Sequence, residues 1–255
     1  MSDALATLEA SDGVARITLN HPQRRNSLTP ALLEALNGRL DVIDPEGLTA
    51  IVIAGGGESF SSGGDVAEFA AREGDALTDY ADRTVSLLNS AILKLLAAPV
   101  PVIARLQGFV TGGAAGFVFA ADTVAMADDA YIAPYYSVVG FAPDGGWTAI
   151  LPDLIGSARA CEIQFSNRKI SADEAKALGI AMHVVPAARL DDKIDEIVAD
   201  LHRKSSASLA RTKRLIWSEQ RLQRVKAGLE MERRTFVEQI TTRDARERMA
   251  AFLRR

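Results

Sequence analysis

Two segments of this chain set glycine-rich backbone where N–H groups are left without partners: Phe60-Ser61-Ser62-Gly63-Gly64-Asp65-Val66 and Gln107-Gly108-Phe109-Val110-Thr111-Gly112-Gly113. Each stands between a buried strand and a helix, whose first turn leaves its donors free. Two such donors converging on one point form an oxyanion hole, which stabilises a carbonyl as it becomes an enolate or a tetrahedral oxyanion. Removing one donor from such a hole costs about 2.7–4 kcal/mol of transition-state stabilisation. Either segment by itself is also an ordinary turn. Downstream, Asp144 sits in Gly140-Phe141-Ala142-Pro143-Asp144-Gly145-Gly146-Trp147. A carboxylate among Phe141, Ala142 and Trp147 is partly desolvated, which raises its pKa and strengthens it as a base. An Asp before Gly-Gly and a helical run is also ordinary capping.

Other groups offer less. Gly55-Gly56-Gly57 follows a strand, but no Gly-Lys-Ser/Thr comes after it, so it reads as a tight turn rather than a phosphate cradle. His21, His183 and His202 form no metal-ligand cluster, and the single Cys161 has no partner for an internal disulfide. No histidine lies near a Gly-x-Ser-x-Gly elbow, which argues against a Ser-His-Asp triad.

Positioning these residues takes alternating strands and helices. Residues 4–9 and 14–19, joined by Ser11-Asp12-Gly13, predict a hairpin. Thr29 before Pro30 is a helix N-cap with proline in the first turn, and Leu32, Leu33 and Leu36 follow at helical spacing. Residues 50–54 form a compact apolar strand. Val85, Leu88, Ile92 and Leu95 or Leu96 mark one face of a helix that must stop before Pro99 and Pro101. A buried strand at 102–106, a small-residue helix at 114–121 and a strand at 123–127 complete an α/β order. Beyond Pro143 the pattern turns helical: Ser171 caps a helix at 172–178, and segments 190–204, 208–218 and 221–241 follow. We divide the chain into a core of residues 1–200 and a helical region of residues 201–255.

The 255 residues are 48% apolar, enough for one sizeable core. The start, Met1-Ser2-Asp3-Ala4, lacks the basic and apolar regions of a secretion signal, and no apolar run reaches the roughly 18 residues of a membrane span. A cytoplasmic location without membrane attachment is expected. Net charge is −4, which gives no case for nucleic acid, yet residues from His202 onward carry 15 Lys/Arg against 6 Asp/Glu. That excess reads as solvated helix faces or as a basic surface for an anionic ligand or a neighbouring subunit.

Taken in order, the motifs resemble the crotonase (enoyl-CoA hydratase/isomerase) superfamily over nearly the whole chain. Leu19-Asn20-His21-Pro22 with Arg25-Asn26-Ser27-Leu28 looks like its opening loop, and the segment around Gly63-Gly64 like its first oxyanion motif. Pro101-Val102-Ile103-Ala104 leading to Gly108 and Gly112-Gly113 resembles the second, and Ala251-Phe252-Leu253-Arg254 its C-terminal signature. The resemblance implies a spiral of ββα turns with a helical C-terminal trimerisation region, a homotrimer or dimer of trimers, and an acyl-CoA thioester substrate. No separate cofactor is implied, because coenzyme A is part of the substrate. By motif position the N–H groups of Gly64 and Gly113 hold the thioester oxygen. Ser27, Ser62, Gly64, Asp65, Val66 and Ala67 line the coenzyme path. Phe252 and basic C-terminal residues cover the adenine end, in this subunit or a neighbour. Tyr131, Tyr135, Tyr136 and Trp147 would suit a bulky or aromatic acyl group, although such a cluster more often serves packing than recognition.

Where the family's hydratases carry two catalytic glutamates, this chain has Gly116 and Tyr136, so the pair that activates water is missing. Gln107 stands in place of a usual asparagine. Asp144 matches the aspartate of some isomerases of the superfamily and of its aryl-CoA dehalogenases. One base suffices to move a proton from the α- to the γ-carbon of a 3-enoyl-CoA, so double-bond isomerisation, or a related CoA-thioester isomerisation such as ring opening of an epoxide-bearing aryl-CoA, is the expected reaction. A dehalogenase route needs a nearby histidine base that is absent. A hydratase using other residues, or a thioester-binding protein without turnover, remain the alternatives.

Overall fold

The computed structural model describes residues 4–254; Met1-Ser2-Asp3, where the absence of a leader was read, and Arg255 lie outside the described residues. Among the described residues, nine strands form two sheets. These are β1 (Ala6–Ser11), β2 (Val14–Leu19), β3 (Ala50–Gly55), β4 (Val102–Leu106), β5 (Phe109–Thr111), β6 (Thr123–Ala127), β7 (Tyr131–Ala133), β8 (Ile170–Ser171) and β9 (His183–Val185). The larger sheet runs β1-β2-β3-β4-β6-β9, and the smaller β5-β7-β8. After the antiparallel β1–β2 hairpin every neighbour in the larger sheet is parallel. A parallel neighbour requires a crossover, and here a helix supplies it each time until β9 closes the edge. β4 is followed at once by β5, and β6 by β7, so successive turns lay one strand in each sheet before their helix. This is the ββα spiral.

Burial follows from the apolar runs. β3 and β4 are buried almost throughout, as strands covered on both faces must be. Thr29 caps the helix Pro30–Asp41 through its side chain, which accepts from Leu32 N. The helix Gly74–Ala97 begins earlier than its leucine stripe indicated and buries Leu77, Ala81, Val85, Leu88, Ile92 and Leu95. Four helices end the chain: Leu190–His202, Ser206–Ile216, Glu219–Ile240 and Arg243–Leu253, the last three capped by Ser205, Ser218 and Thr242. Among the described residues, no helix is long and apolar enough to cross a membrane.

Besides the main core, a smaller apolar cluster joins Phe69, Val85 and Val139 to Phe236, Ile240 and Met249. The C-terminal helices are thereby packed into the region that carries the glycine motifs. Much of their positive charge is locally paired, as Arg224 with Asp153, Arg233 with Asp82 and Glu230, and Arg248 with Asp244. Lys213 is buried and donates to Asp122 at 2.6 Å and to the carbonyls of Leu95 and Val100.

Candidate active site

Backbone pairing brings the two glycine segments together. Ser61 and Val110 form a parallel bridge, with Ser61 N donating to Phe109 O and Thr111 N to Ser61 O. Immediately beyond it, Gly63 lies so close to the second segment that a Cβ there would come within 2.5 Å of Thr111 O. Its φ of +73° excludes most other residues as well. Gly64 N–H donates to no acceptor among the described residues. Gly113 lies in the first turn of the helical run that starts at Gly112, where N–H groups have no intrahelical partner.

A cavity of about 550 Å³ opens beside this junction. Its wall includes Ser27, Ser62, Gly64, Asp65, Val66 and Ala67 from the first segment and its surroundings. Gly113, Tyr136, Asp144 and Phe252 complete it from the other side. Apart from Trp147, the site residues expected from the sequence therefore border one space. Phe252 does so in its own chain, next to Tyr135.

The polar residues at the near end hold one another. Asp65 accepts from Arg24 at 2.5 Å and from Ser27 Oγ at 3.0 Å, and its other oxygen accepts from Glu68 N to cap the helix Val66–Ala70. Burial pushes its carboxyl up, but these donors outweigh it and hold the group below the usual range. Asn26, fully buried, donates to the carbonyls of Gly56, Ser59 and Phe60 and so fixes the approach to the first motif. Gln107 replaces the usual asparagine with a longer reach: its Nε2 donates to Gly55 O and Gly57 O while its Oε1 accepts from Arg105.

Asp144 caps no helix. Residues 145–150 form turns, and the neighbouring N–H groups of Gly146, Thr148 and Ala149 bond elsewhere, to Glu232. Its carboxylate instead lies directly over Gly113, where an added Cβ would stand 2.7 Å from Oδ1. The hydroxyl of Tyr136 donates to Oδ1 at 2.6 Å and lies 3.0 Å from the Asp144 carbonyl oxygen. Tyr135, at φ +62°, makes the left-handed turn that starts the short helix Tyr136–Val139. Oδ2 accepts no hydrogen bond among the described residues and is free to take a proton.

Burial pushes the Asp144 carboxyl up to about 7, with the Glu232 charge adding to the rise and the Tyr136 hydroxyl opposing it. Burial also drives the Tyr136 phenol well above its usual range, so it stays protonated and remains a donor. Replacing Tyr136 by Phe removes the bond that favours the carboxylate, and the Asp144 pKa rises further. The acid limb of the activity profile is expected to move to higher pH, which a pH series of kcat/KM measures.

Gly116 has no room for a side chain. A Cβ there would lie 2.4 Å from both Gly145 O and Ile92 Cδ1, and one on Gly145 would lie 2.4 Å from Gly113 O. The loop after Asp144 therefore rests on bare helix backbone where a hydratase glutamate would project. Trp147 is also not an acyl-pocket residue: it is fully buried, its Nε1 donating to Gly112 O at 2.8 Å and its ring edge-on to Phe119. The aromatic wall comes from Phe69, Phe141 and Phe236, whose ring centroids lie 5.2–5.7 Å apart. Phe69 and Phe236 escaped the sequence reading, although Phe236 continues the helical stripe Val225, Leu229, Glu232, Phe236, Ile240.

The enoyl-CoA hydratase/isomerase family model matches residues 9–255. A trans-2-decenoyl-acyl-carrier-protein isomerase of Streptococcus mutans is 29% identical over 208 residues, covering 81% of this chain and 79% of its own. The crystal structure of an enoyl-CoA hydratase/isomerase from Mycobacterium paratuberculosis superimposes with a TM-score of 0.84 at 28% identity, over 97% of this chain and 98% of its own. A Thermobifida fusca YX structure solved in complex with acetoacetyl-CoA gives 0.76 at 31% identity, over 90% of this chain and 94% of its own. With the family model spanning the spiral, both glycine motifs and the C-terminal helices, the chain belongs to the enoyl-CoA hydratase/isomerase family.

Proposed function

We propose that this family member is a CoA-thioester isomerase that moves a double bond from the 3- to the 2-position with Asp144 as its single proton shuttle. The observation that carries the reading is the pairing of Asp144 over Gly113 with a Gly116 that cannot bear a side chain. The Asp144 carboxylate takes a proton from the α-carbon, and the C–H electron pair passes into a dienolate whose negative oxygen lies between the N–H groups of Gly64 and Gly113. The proton then returns to the γ-carbon, and the electrons settle as the conjugated 2-enoyl thioester. A pKa near 7 suits a group that must accept and release a proton in one turnover. The T. fusca complex supports coenzyme A as the carrier. The rings of Phe69, Phe141 and Phe236 favour an apolar acyl group.

The test is incubation with 3-enoyl- and 2-enoyl-CoA thioesters in deuterated water. Deuterium at the α- or γ-carbon and growth of conjugated-enoyl absorbance are expected from the 3-enoyl substrates. Accumulation of 3-hydroxyacyl-CoA would instead make the protein a hydratase, and binding without exchange would make it a thioester-binding protein. The family resemblance also underlies the proposed homotrimer or dimer of trimers, which sedimentation measures.

A further inference from the structure

Glu232 is 4% exposed and occupies a core position of the helix Glu219–Ile240, between Leu229 and Phe236. A carboxylate there is costly to bury unless donors surround it. Four do. Oε2 accepts from Gly146 N at 2.8 Å, while Oε1 accepts from Thr148 N at 2.7 Å, Thr148 Oγ at 2.6 Å and Ala149 N at 2.9 Å. All come from the loop that follows Asp144, and three are backbone N–H groups, which only an acceptor can satisfy. The helix comes close enough to do this because residue 228 is glycine: a Cβ there would lie 2.8 Å from that of Ala149. Its other side is tied down by Asn89, whose Nδ2 donates to Leu229 O at 3.0 Å.

The loop itself has no helix or strand to stiffen it between Asp144 and Leu151. Besides the internal bonds from Ile150 N and Leu151 N to Gly146 O and the backbone contact of Gly145 with Gly113 and Gly116, the Trp147 indole bonds Gly112 O and the Tyr136 hydroxyl bonds Asp144. We propose that Glu232 is a positioning residue: gripping the backbone of residues 146–149, it holds the Asp144 carboxylate over Gly113. This rests on Asp144 being the base. Tyr136, from the helix Tyr136–Val139, and Glu232, from the helix Glu219–Ile240, are the titratable side chains that bear on Asp144; Gly113 and Leu88 pack around the same point. The buried negative charge of Glu232 thus also opposes ionisation of Asp144. Neutralising it acts on the pH profile in the direction opposite to Tyr136→Phe.

The experiment compares Glu232→Gln, Glu232→Ala and the milder Thr148→Val with wild type. The readouts are kcat, KM, the pH profile of α-proton exchange and hydrogen exchange of the Gly146, Thr148 and Ala149 amides. Glu232→Ala is expected to lose about 100-fold in kcat, the effect of misplacing a reacting group by about 1 Å, with KM little changed. Glu232→Gln is expected to lose less and to move the acid limb to lower pH. The three amides are expected to exchange faster in Glu232→Ala and, at Thr148, in Thr148→Val. Amides still protected in a folded Glu232→Ala, or a Glu232→Gln with wild-type kcat and acid limb, overturn the proposal. Should Asp144→Asn keep full exchange while the amides of Glu232→Ala lose protection, the grip on the loop stands and only the base assignment falls.

Discussion

Asp144→Asn is expected to lower α-proton exchange and double-bond migration by about 10²–10⁴-fold, the contribution of a positioned general base. The substitution keeps size and shape. The amide oxygen can still accept from Tyr136, while the free Oδ2, the proposed proton acceptor, is replaced by a group with no basicity. Binding of the thioester should persist, since the Gly64 and Gly113 donors are untouched, so KM or Kd stays close to wild type while kcat collapses. Stability should move the other way. The folded carboxyl titrates at about 7, above its unfolded value of 3.8. The folded state thus holds the proton more tightly than the unfolded chain. The penalty for ionising Asp144 is absent below the unfolded value, grows between the two and is complete above pH 7. At roughly 1.4 kcal/mol per pKa unit it reaches about 4 kcal/mol. Asn never ionises, so the variant should melt higher than wild type at pH 8, with the gap closing toward pH 4. Thermal unfolding across that range checks it, and a variant equally active or less stable at pH 8 would contradict the placement of Asp144 as a buried base.

Gly113→Ala carries the second large effect. Its added methyl would lie 2.7 Å from both Asp144 Oδ1 and Leu88 Cδ2, so the carboxylate must move off the site or the Gly113 backbone must withdraw from it. One response misplaces the base and the other the oxyanion donor. Either costs about 100-fold or more in kcat. Adding Leu88→Ala removes one of the two collisions, at the cost of truncating a fully buried leucine, and should not recover kcat. Recovery of kcat would show that the damage lay in packing against Leu88 and not in the site.

The alternating core was legible because β3, β4 and β6 are short apolar runs bounded by glycine and proline, and the helices between them carry leucine stripes. The glycine motifs were legible for a different reason: their backbone role demands residues without side chains, so composition reveals it. β5, β7 and β8 were not, because strands of two or three residues leave too little pattern to distinguish from loop. Asp144 illustrates the limit of local reading. Asp-Gly-Gly before a helical stretch has the chemistry of a cap, and only the distant claim of Glu232 on the same N–H groups leaves Asp144 free for other work. Glu232 did leave a trace, since it is the one charged residue in an apolar stripe of its helix, yet its partners lie more than 80 residues away. Trp147 falls on the packing side of the two readings its aromatic cluster allows, because its ring turns inward onto Phe119 while its indole N–H finds Gly112 O.

The glycine-on-glycine contact among Gly113, Gly116 and Gly145 bears on how this chemistry can be acquired or exchanged. The loop bearing Asp144 and a side chain on residue 116 are rival tenants of one volume, and neither can be admitted while the other is in place. With the loop where it stands, a glutamate introduced at 116 alone would meet Gly145 O and the Ile92 side chain and displace residues 144–146. Laboratory evolution that randomises position 116 alone should return glycine, whereas libraries that vary 116 together with 144–146 should admit larger residues there.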